Sequence, residues 1–168
     1  MYLLALAKWE DVEKCYAIIQ EAKQFQKAQG FTQWTEGYPD LETIRQDVRT
    51  GKGYVVTCGD QIAGYMCIDF SGEPAYENIE GKWNTDLPYA VVHRMAFSRN
   101  FRNQGLSGVT FSLIEDLCRS KGVRSIRVDT DFPNKRMQHI LEKNGFSQCG
   151  VIVFQGSGKL AYDKTLKA

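Results

Sequence analysis

"YAVVHRMAFSRNFRNQGLSG", residues 89–108, holds the main clue to the fold. Its first stretch, Tyr89–Phe97, is apolar and β-branched enough to predict a strand. A polar, glycine-bearing turn follows. Beyond it, Leu106, Val109, Leu113, Ile114 and Leu117 predict an amphipathic helix over 106–120. The first turn of a helix leaves unpaired N–H groups, and its dipole adds partial positive charge. Gly105 and Gly108 carry no Cβ, so a ligand can approach the backbone closely. Arg99 and Arg102 add full charges beside them. Together these features favour an anion such as a diphosphate. The same residues also fit a plain glycine turn entering a helix. Two familiar phosphate loops are excluded, because neither GxxxxGK(S/T) nor GxGxxG is present.

Outward from this segment, strands and helices alternate. "YLLALA" predicts a short buried strand, and Val12, Tyr16, Ile19, Lys23 and Gln26 predict a helix over 9–28 that stops at Gly30. Asp40 is placed to cap a second helix, with Glu42 in its first turn. "GYVVTCGDQIAGYMCIDF" predicts two strands hinged on Gly59 and Asp60. Residues 71–88 read as a long loop, with Glu73, Glu77, Glu80 and Asp86 against one lysine. A strand at 125–129, a helix at 135–143 and strands at 149–154 and 160–165 complete the set. The order is mixed α/β, with no repeat or linker.

The chain has 168 residues, 43% of them apolar, which suits one domain with one sizeable core. A net charge of +1 gives no global pull toward nucleic acid or an anionic membrane. "MYLLALA" is too short to span a bilayer and lacks the basic start of a signal peptide. The five cysteines form no CxxC pair, which predicts free thiols in a reducing cytoplasm. His93 and His139 are far apart in sequence, and no metal site is expected.

"MAFSRNFRNQGLSG", together with "NKRMQHILEKNGF" further on, resembles the GNAT superfamily of N-acetyltransferases. That family's signature is arginine or glutamine, two residues, glycine, one residue, then glycine or alanine. Here it reads Arg102, Asn103, Gln104, Gly105, Leu106, Ser107, with serine as the last small residue. Further stretches across nearly the whole chain, including "EGKWNTDLPYAVVHRMAF" and "IRVDTD", are similar to a bacterial subgroup of that family. So is the run of Trp34, Gly37, Tyr38 and Pro39. The resemblance implies an α/β (α+β) domain over residues 1–168. Its mixed, mostly antiparallel sheet would have about seven strands, splayed between strands 4 and 5 and flanked by about four helices. It also implies acetyl-coenzyme A as donor. The pyrophosphate would sit on the amides of Arg102, Asn103, Gln104, Gly105, Leu106, Ser107 and Gly108. Met95, Ala96 and Phe97 would pair with the pantetheine amides, and Asn134 would contact the cofactor arm.

Acetyl transfer to an amine requires removal of a proton from an ammonium whose pKa is near ~10. It also requires stabilisation of the thioester oxygen, for which an N–H near Met95 or Ala96 would serve. His93 is the first candidate base: an unperturbed imidazole near ~6.5 accepts a proton at neutral pH. On a regular strand it would share a face with Met95; the plainer alternative is a histidine bonded within the sheet. Asp129 is the second candidate, and its plainer alternative is a strand-end carboxylate paired with Arg127 or Arg94. Many relatives carry a tyrosine four residues before the glycine of Gly-Phe as acid; here that position is Leu141. Trp34 and Tyr38 are candidate aromatic walls for the acceptor. Arg94, Arg127 and Asp131 are candidates for a carboxylate-bearing acceptor such as an amino acid or peptide end. The expected activity is acetyl transfer from acetyl-coenzyme A to a primary amine of a small molecule or peptide, by direct attack in a ternary complex. The alternative is a non-catalytic domain that senses acyl-coenzyme A. No nucleic-acid or membrane partner is expected, and a homodimer is left open.

Overall fold

A computed structural model of the chain describes residues 1–167. The elements run β1 (Tyr2–Leu6), α1 (Val12–Ala28), α2 (Leu41–Arg49), β2 (Gly53–Cys58), β3 (Gln61–Asp69), β4 (Glu80–Gly81) and β5 (Tyr89–Phe97). They continue with α3 (Leu106–Ser120), β6 (Ser125–Thr130), α4 (Lys135–Lys143), β7 (Ser147–Phe154) and β8 (Ser157–Thr165). The strands form one sheet in the order β1-β2-β3-β5-β6-β8-β7-β4. β5 and β6 are parallel, joined through α3, whereas β1–β2, β2–β3, β6–β8, β7–β8 and β4–β7 are antiparallel. The expected mostly antiparallel sheet and four helices are therefore present, with eight strands rather than seven. No described helix is long and apolar enough to cross a membrane.

The chain divides into two compact units, residues 1–68 with 94–113, and residues 69–93 with the described residues from 114 onward. In the first, Ile18, Ile19, Ile44, Val55, Tyr65 and Ala96 form a core. Asp40 caps α2, its Oδ1 accepting from the Thr43 N–H at 2.8 Å. Lys23 and Gln26 keep the helical spacing of core residues and are buried. Their polar heads are spent on the segment before α2. Lys23 Nζ donates to the Pro39 carbonyl at 2.6 Å, and Gln26 Oε1 accepts from the Trp34 N–H at 3.0 Å. That leaves buried polar atoms satisfied while pinning the segment that carries Trp34 and Tyr38.

In the second unit, Tyr76, Trp83, Val91, Ile152 and Ala161 pack together. The segment expected to be a loop supplies two of these aromatics, a 3₁₀ turn at Pro74–Glu77 and the short strand β4. Trp83 Nε1 donates to the Tyr76 carbonyl at 2.9 Å. Asp163 accepts from both the N–H and the Nδ2 of Asn84, at 2.8 and 2.7 Å. β7 and β8 are longer than expected and meet in a two-residue turn. There Gln155 (φ 53°) and Gly156 (φ 78°) both lie in the left-handed region that such hairpins require.

Candidate functional site

The residues after β5 form the expected turn. Ser98 N–H donates to the Ala63 carbonyl at 2.8 Å, closing the end of the strand. A 3₁₀ turn at Arg99–Phe101 comes next, then left-handed Asn103 (φ 63°) and Gly105 (φ 71°). α3 begins at Leu106, and the Val109 N–H is already bonded to the Gly105 carbonyl. The preceding first-turn amides, Leu106 to Gly108, have no partner inside the helix. A Cβ built on Gly105 would meet nothing within 4 Å, so the turn is open on that side. Of the two arginines, Arg99 pairs with Glu21 of α1 at 3.3 Å, and the Arg102 guanidinium lies 4.7 Å above the Phe25 ring. Gln104 donates to the Asn100 carbonyl at 3.3 Å.

β5 itself is irregular. Its ladder with β6 runs from Tyr89↔Ser125 to Val91↔Arg127 and stops, while β6 continues beside β8 to Thr130. Arg94 lies at φ 55°, a left-handed residue inside a strand. The alternation that would put His93 and Met95 on one face is therefore broken, and Met95 and Ala96 are buried in succession. The Arg94 side chain reaches Asp47 of α2 by two bonds, Nε to Oδ2 at 3.0 Å and Nη2 to Oδ1 at 2.6 Å. Nη1 donates to the Tyr38 hydroxyl at 2.8 Å. Burial alone would lower the guanidinium pKa, but the Asp47 bonds hold it above its ordinary value.

The second unit holds the candidate proton-handling groups. His93 Nε2 lies 3.5 Å from Glu73 Oε1, and its ring stacks on Phe154 with centroids 5.6 Å apart. Glu73 is itself fixed: Oε2 accepts from the Ala75 N–H at 3.1 Å, and the Glu73 N–H donates to the Tyr89 hydroxyl at 3.3 Å. Asp129 takes neither arginine partner. Its Oδ1 accepts from the Tyr76 hydroxyl at 2.6 Å. Arg127 is instead held between the rings of Trp83 and Tyr89, at 4.2 and 4.0 Å, and donates to the Thr85 carbonyl at 2.9 Å. Burial pushes the Asp129 carboxyl up to about 6, against the pull of Tyr76 and Lys159. Burial and then Asp129 raise the Tyr76 phenol well above its ordinary value, so Tyr76 is a donor at any physiological pH. Asp131 pairs with Lys159 at 2.8 Å, and Asn134 caps α4 by accepting from the Met137 N–H at 3.1 Å.

Of the residues singled out in the sequence, the first unit gathers 102–108, Met95, Ala96, Phe97, Arg94, Tyr38 and Trp34; the second gathers His93, Asp129, Arg127, Asp131 and Asn134. Asp47, Glu73 and Tyr76 join them, though nothing local in the sequence marks them out. Leu141 is fully buried.

A model of the acetyltransferase (GNAT) family matches residues 12–146, most of the chain. The chain belongs to this family. Among solved structures, it is similar to a GNAT-family acetyltransferase from Streptococcus agalactiae, with 32% identity and a TM-score of 0.89 over 99% of this chain and 96% of that one. A putative acetyltransferase from Staphylococcus aureus Mu50 shares 26% identity at a TM-score of 0.73, over 98% of this chain and 99% of that one. The fold also extends to an aminoglycoside acetyltransferase solved with coenzyme A and kanamycin. That protein is 16% identical at a TM-score of 0.71, over 98% of this chain and 95% of the other. A search of curated proteins yields no match.

Proposed function

We propose that the protein transfers the acetyl group of acetyl-coenzyme A to a primary amine of a small molecule or peptide, by direct attack in a ternary complex. The observation that carries this reading is the open turn after β5, where Leu106 to Gly108 offer first-turn amides and Gly105 has free space on its Cβ side. That chemistry fits a pyrophosphate: fixed N–H donors, a helix dipole, and no side chain in the way. The Arg102 amide already donates to the Arg99 carbonyl at 3.5 Å, so the amides of Asn103 to Gly108 would hold it, and the backbone of Met95 to Phe97, beyond the reach of the β6 ladder, would hold the pantetheine arm. The cofactor supplies an activated acyl group whose thiolate leaves readily, having a pKa near ~8.5. An N–H at Met95 or Ala96 would serve as donor to the carbonyl oxygen as it gains charge. His93 takes the ammonium proton, with the Glu73 carboxylate fixed beside its ring. Asp129 is the second acceptor for that proton, since burial has already raised its affinity for one. The similarity in fold to the aminoglycoside acetyltransferase solved with kanamycin supports an amine as acceptor. The reducing cytoplasm is the setting we infer, on the strength of five cysteines that form no disulfide.

Mass detection of acetylated product across a panel of amines, with thiol release followed in parallel, tests the reading. Silence with every amine would refute it. Burial of Leu141 where relatives carry an acid favours one second reading, a domain that senses acyl-coenzyme A without turnover. Tight coenzyme A binding in a thermal-shift assay, with no acetylated product, would select it.

A further inference from the structure

The feature that the proposed chemistry leaves unexplained is Arg94. Arginine has no local reason to adopt φ 55° inside a strand, where L-residues crowd their own backbone. The side chain supplies the reason. It is locked at three nitrogens, two on Asp47 and one on the Tyr38 hydroxyl. Asp47 is buried, with 5% of its surface exposed, and its Oδ2 also accepts from the hydroxyl of fully buried Tyr65 at 2.5 Å. One residue of β5 is thus tied to α2, to β3 and to the segment before α2. A bidentate arginine–carboxylate pair sets orientation as well as distance. Because the pair is largely buried, with side-chain exposures of 13% and 7%, losing either member strands the other charge.

Met95–Phe97 come directly after Arg94 in the strand. A left-handed residue rotates the next peptide plane out of the pleat, so the direction of the Met95 N–H is set by the Arg94 backbone. We propose that the Arg94–Asp47 pair, braced by Tyr65 and Tyr38, is a positioning device that holds the bend in β5 and so aims the Met95 and Ala96 amides at the thioester arm. Arg94 and Tyr38 then act through the backbone of β5 and not by gripping the acceptor. The inference rests on the acetyl-transfer reading for its purpose, but not for its test.

Two readouts are taken on full-length protein: amide NMR signals of Met95–Phe97 with and without coenzyme A, and steady-state kinetics with a turned-over amine. The variants are Arg94→Lys, which keeps the charge and loses the fork, and Tyr38→Phe, which removes one brace. Urea midpoints establish that each is folded. In the unaltered protein, coenzyme A shifts the three amide signals. In Arg94→Lys these signals move before cofactor is added, coenzyme A binds at least fivefold more weakly, and kcat falls at least tenfold with the acceptor KM within twofold. Tyr38→Phe changes the same quantities in the same direction by less, and keeps the test alive should Arg94→Lys fail to fold. Unmoved amides with unchanged kcat in a folded variant would overturn the inference, as would a raised acceptor KM at constant kcat, which marks a substrate contact. If no amine is acetylated but coenzyme A still shifts the amides only while the pair is intact, the acetyl-transfer reading fails and the positioning role stands. Absence of any coenzyme A effect on these amides sinks both.

Discussion

Replacing Asp129 by asparagine should make the protein more stable at neutral pH, contrary to the usual outcome of changing a buried hydrogen-bonded residue. Burial raises the Asp129 carboxyl from an ordinary value of 3.8 to about 6. Its protonated form is therefore favoured in the folded chain. Below pH 3.8 both folded and unfolded chains hold the proton, and no penalty exists. Between pH 3.8 and about 6 the unfolded chain releases its proton first, and the folded state loses ground. Above about pH 6 the loss is complete, at about 3 kcal/mol. Asparagine carries no charge to desolvate, and its Oδ1 can still accept from the Tyr76 hydroxyl now bonded at 2.6 Å. The expected gain is about 2–3 kcal/mol at about pH 7.5, shrinking to about 1 kcal/mol at about pH 4.5. For a chain of this length each kcal/mol moves Tm by roughly 2–4 °C. Urea unfolding followed by tryptophan fluorescence at both pH values measures it. A variant less stable than the parent at the higher pH, or a gain that ignores pH, would show that the carboxylate is stabilised where it sits. The same substitution should slow acetyl transfer if Asp129 takes a proton, because groups held ready for chemistry are held at a cost to the fold.

Three further outcomes rest on single contacts. Gly105→Val places a β-branched side chain at φ 71° and points its Cβ into open space. Stability should fall by about 1–2 kcal/mol while coenzyme A affinity drops at least tenfold by calorimetry, and unchanged affinity would make the turn merely structural. His93→Gln should lower kcat about 10²–10⁴-fold with coenzyme A affinity kept within twofold; a loss under threefold would remove His93 from proton transfer. Gly64→Ala would bring a Cβ to 2.7 Å from Phe97 Cδ1 and 3.1 Å from the Ala96 carbonyl oxygen. A loss of about 1–3 kcal/mol in urea is expected, and a neutral result would mean that β5 yields easily at this point.

The elements legible in the sequence are those whose signals are local. The strand at 89–97, the turn and the helix from Leu106 are set by residues within a few positions of one another. So is the Asp40 cap, which needs only Thr43 three residues on. The segment 71–88 resists the same treatment because its acidic residues dominate its composition, while the two aromatics that order it are individually unremarkable in a sequence. Tyr76 and Trp83 are buried by each other and by strands β7 and β8, which lie more than sixty positions downstream. The turn at Gln155 and Gly156 is legible in principle, since glycine after a polar residue between two strand-forming runs is a hairpin signal; the expected strand over 149–154 ends where β7 does, while the one over 160–165 starts later than β8.

For the chemical groups, the divide falls at the same place. A backbone amide needs no distant partner to be placed, so the glycine turn ahead of α3 can be anticipated from local sequence. A side chain's role depends on what it meets. Sequence pairs Asp129 with an arginine, because arginines are its neighbours along the strands. It meets Tyr76 instead, 53 positions away, and Arg94 meets Asp47 at a separation of 47. Each of those pairings bears on chemistry: the first pulls the Asp129 carboxyl down against the burial that raises it to about 6, and the second engages three nitrogens of the Arg94 guanidinium within the fold. A histidine two residues before the cofactor-binding backbone is a candidate base by position only. The Glu73 carboxylate 3.5 Å from its Nε2, drawn from a segment that reads as solvated loop, is the partner that the sequence could not supply.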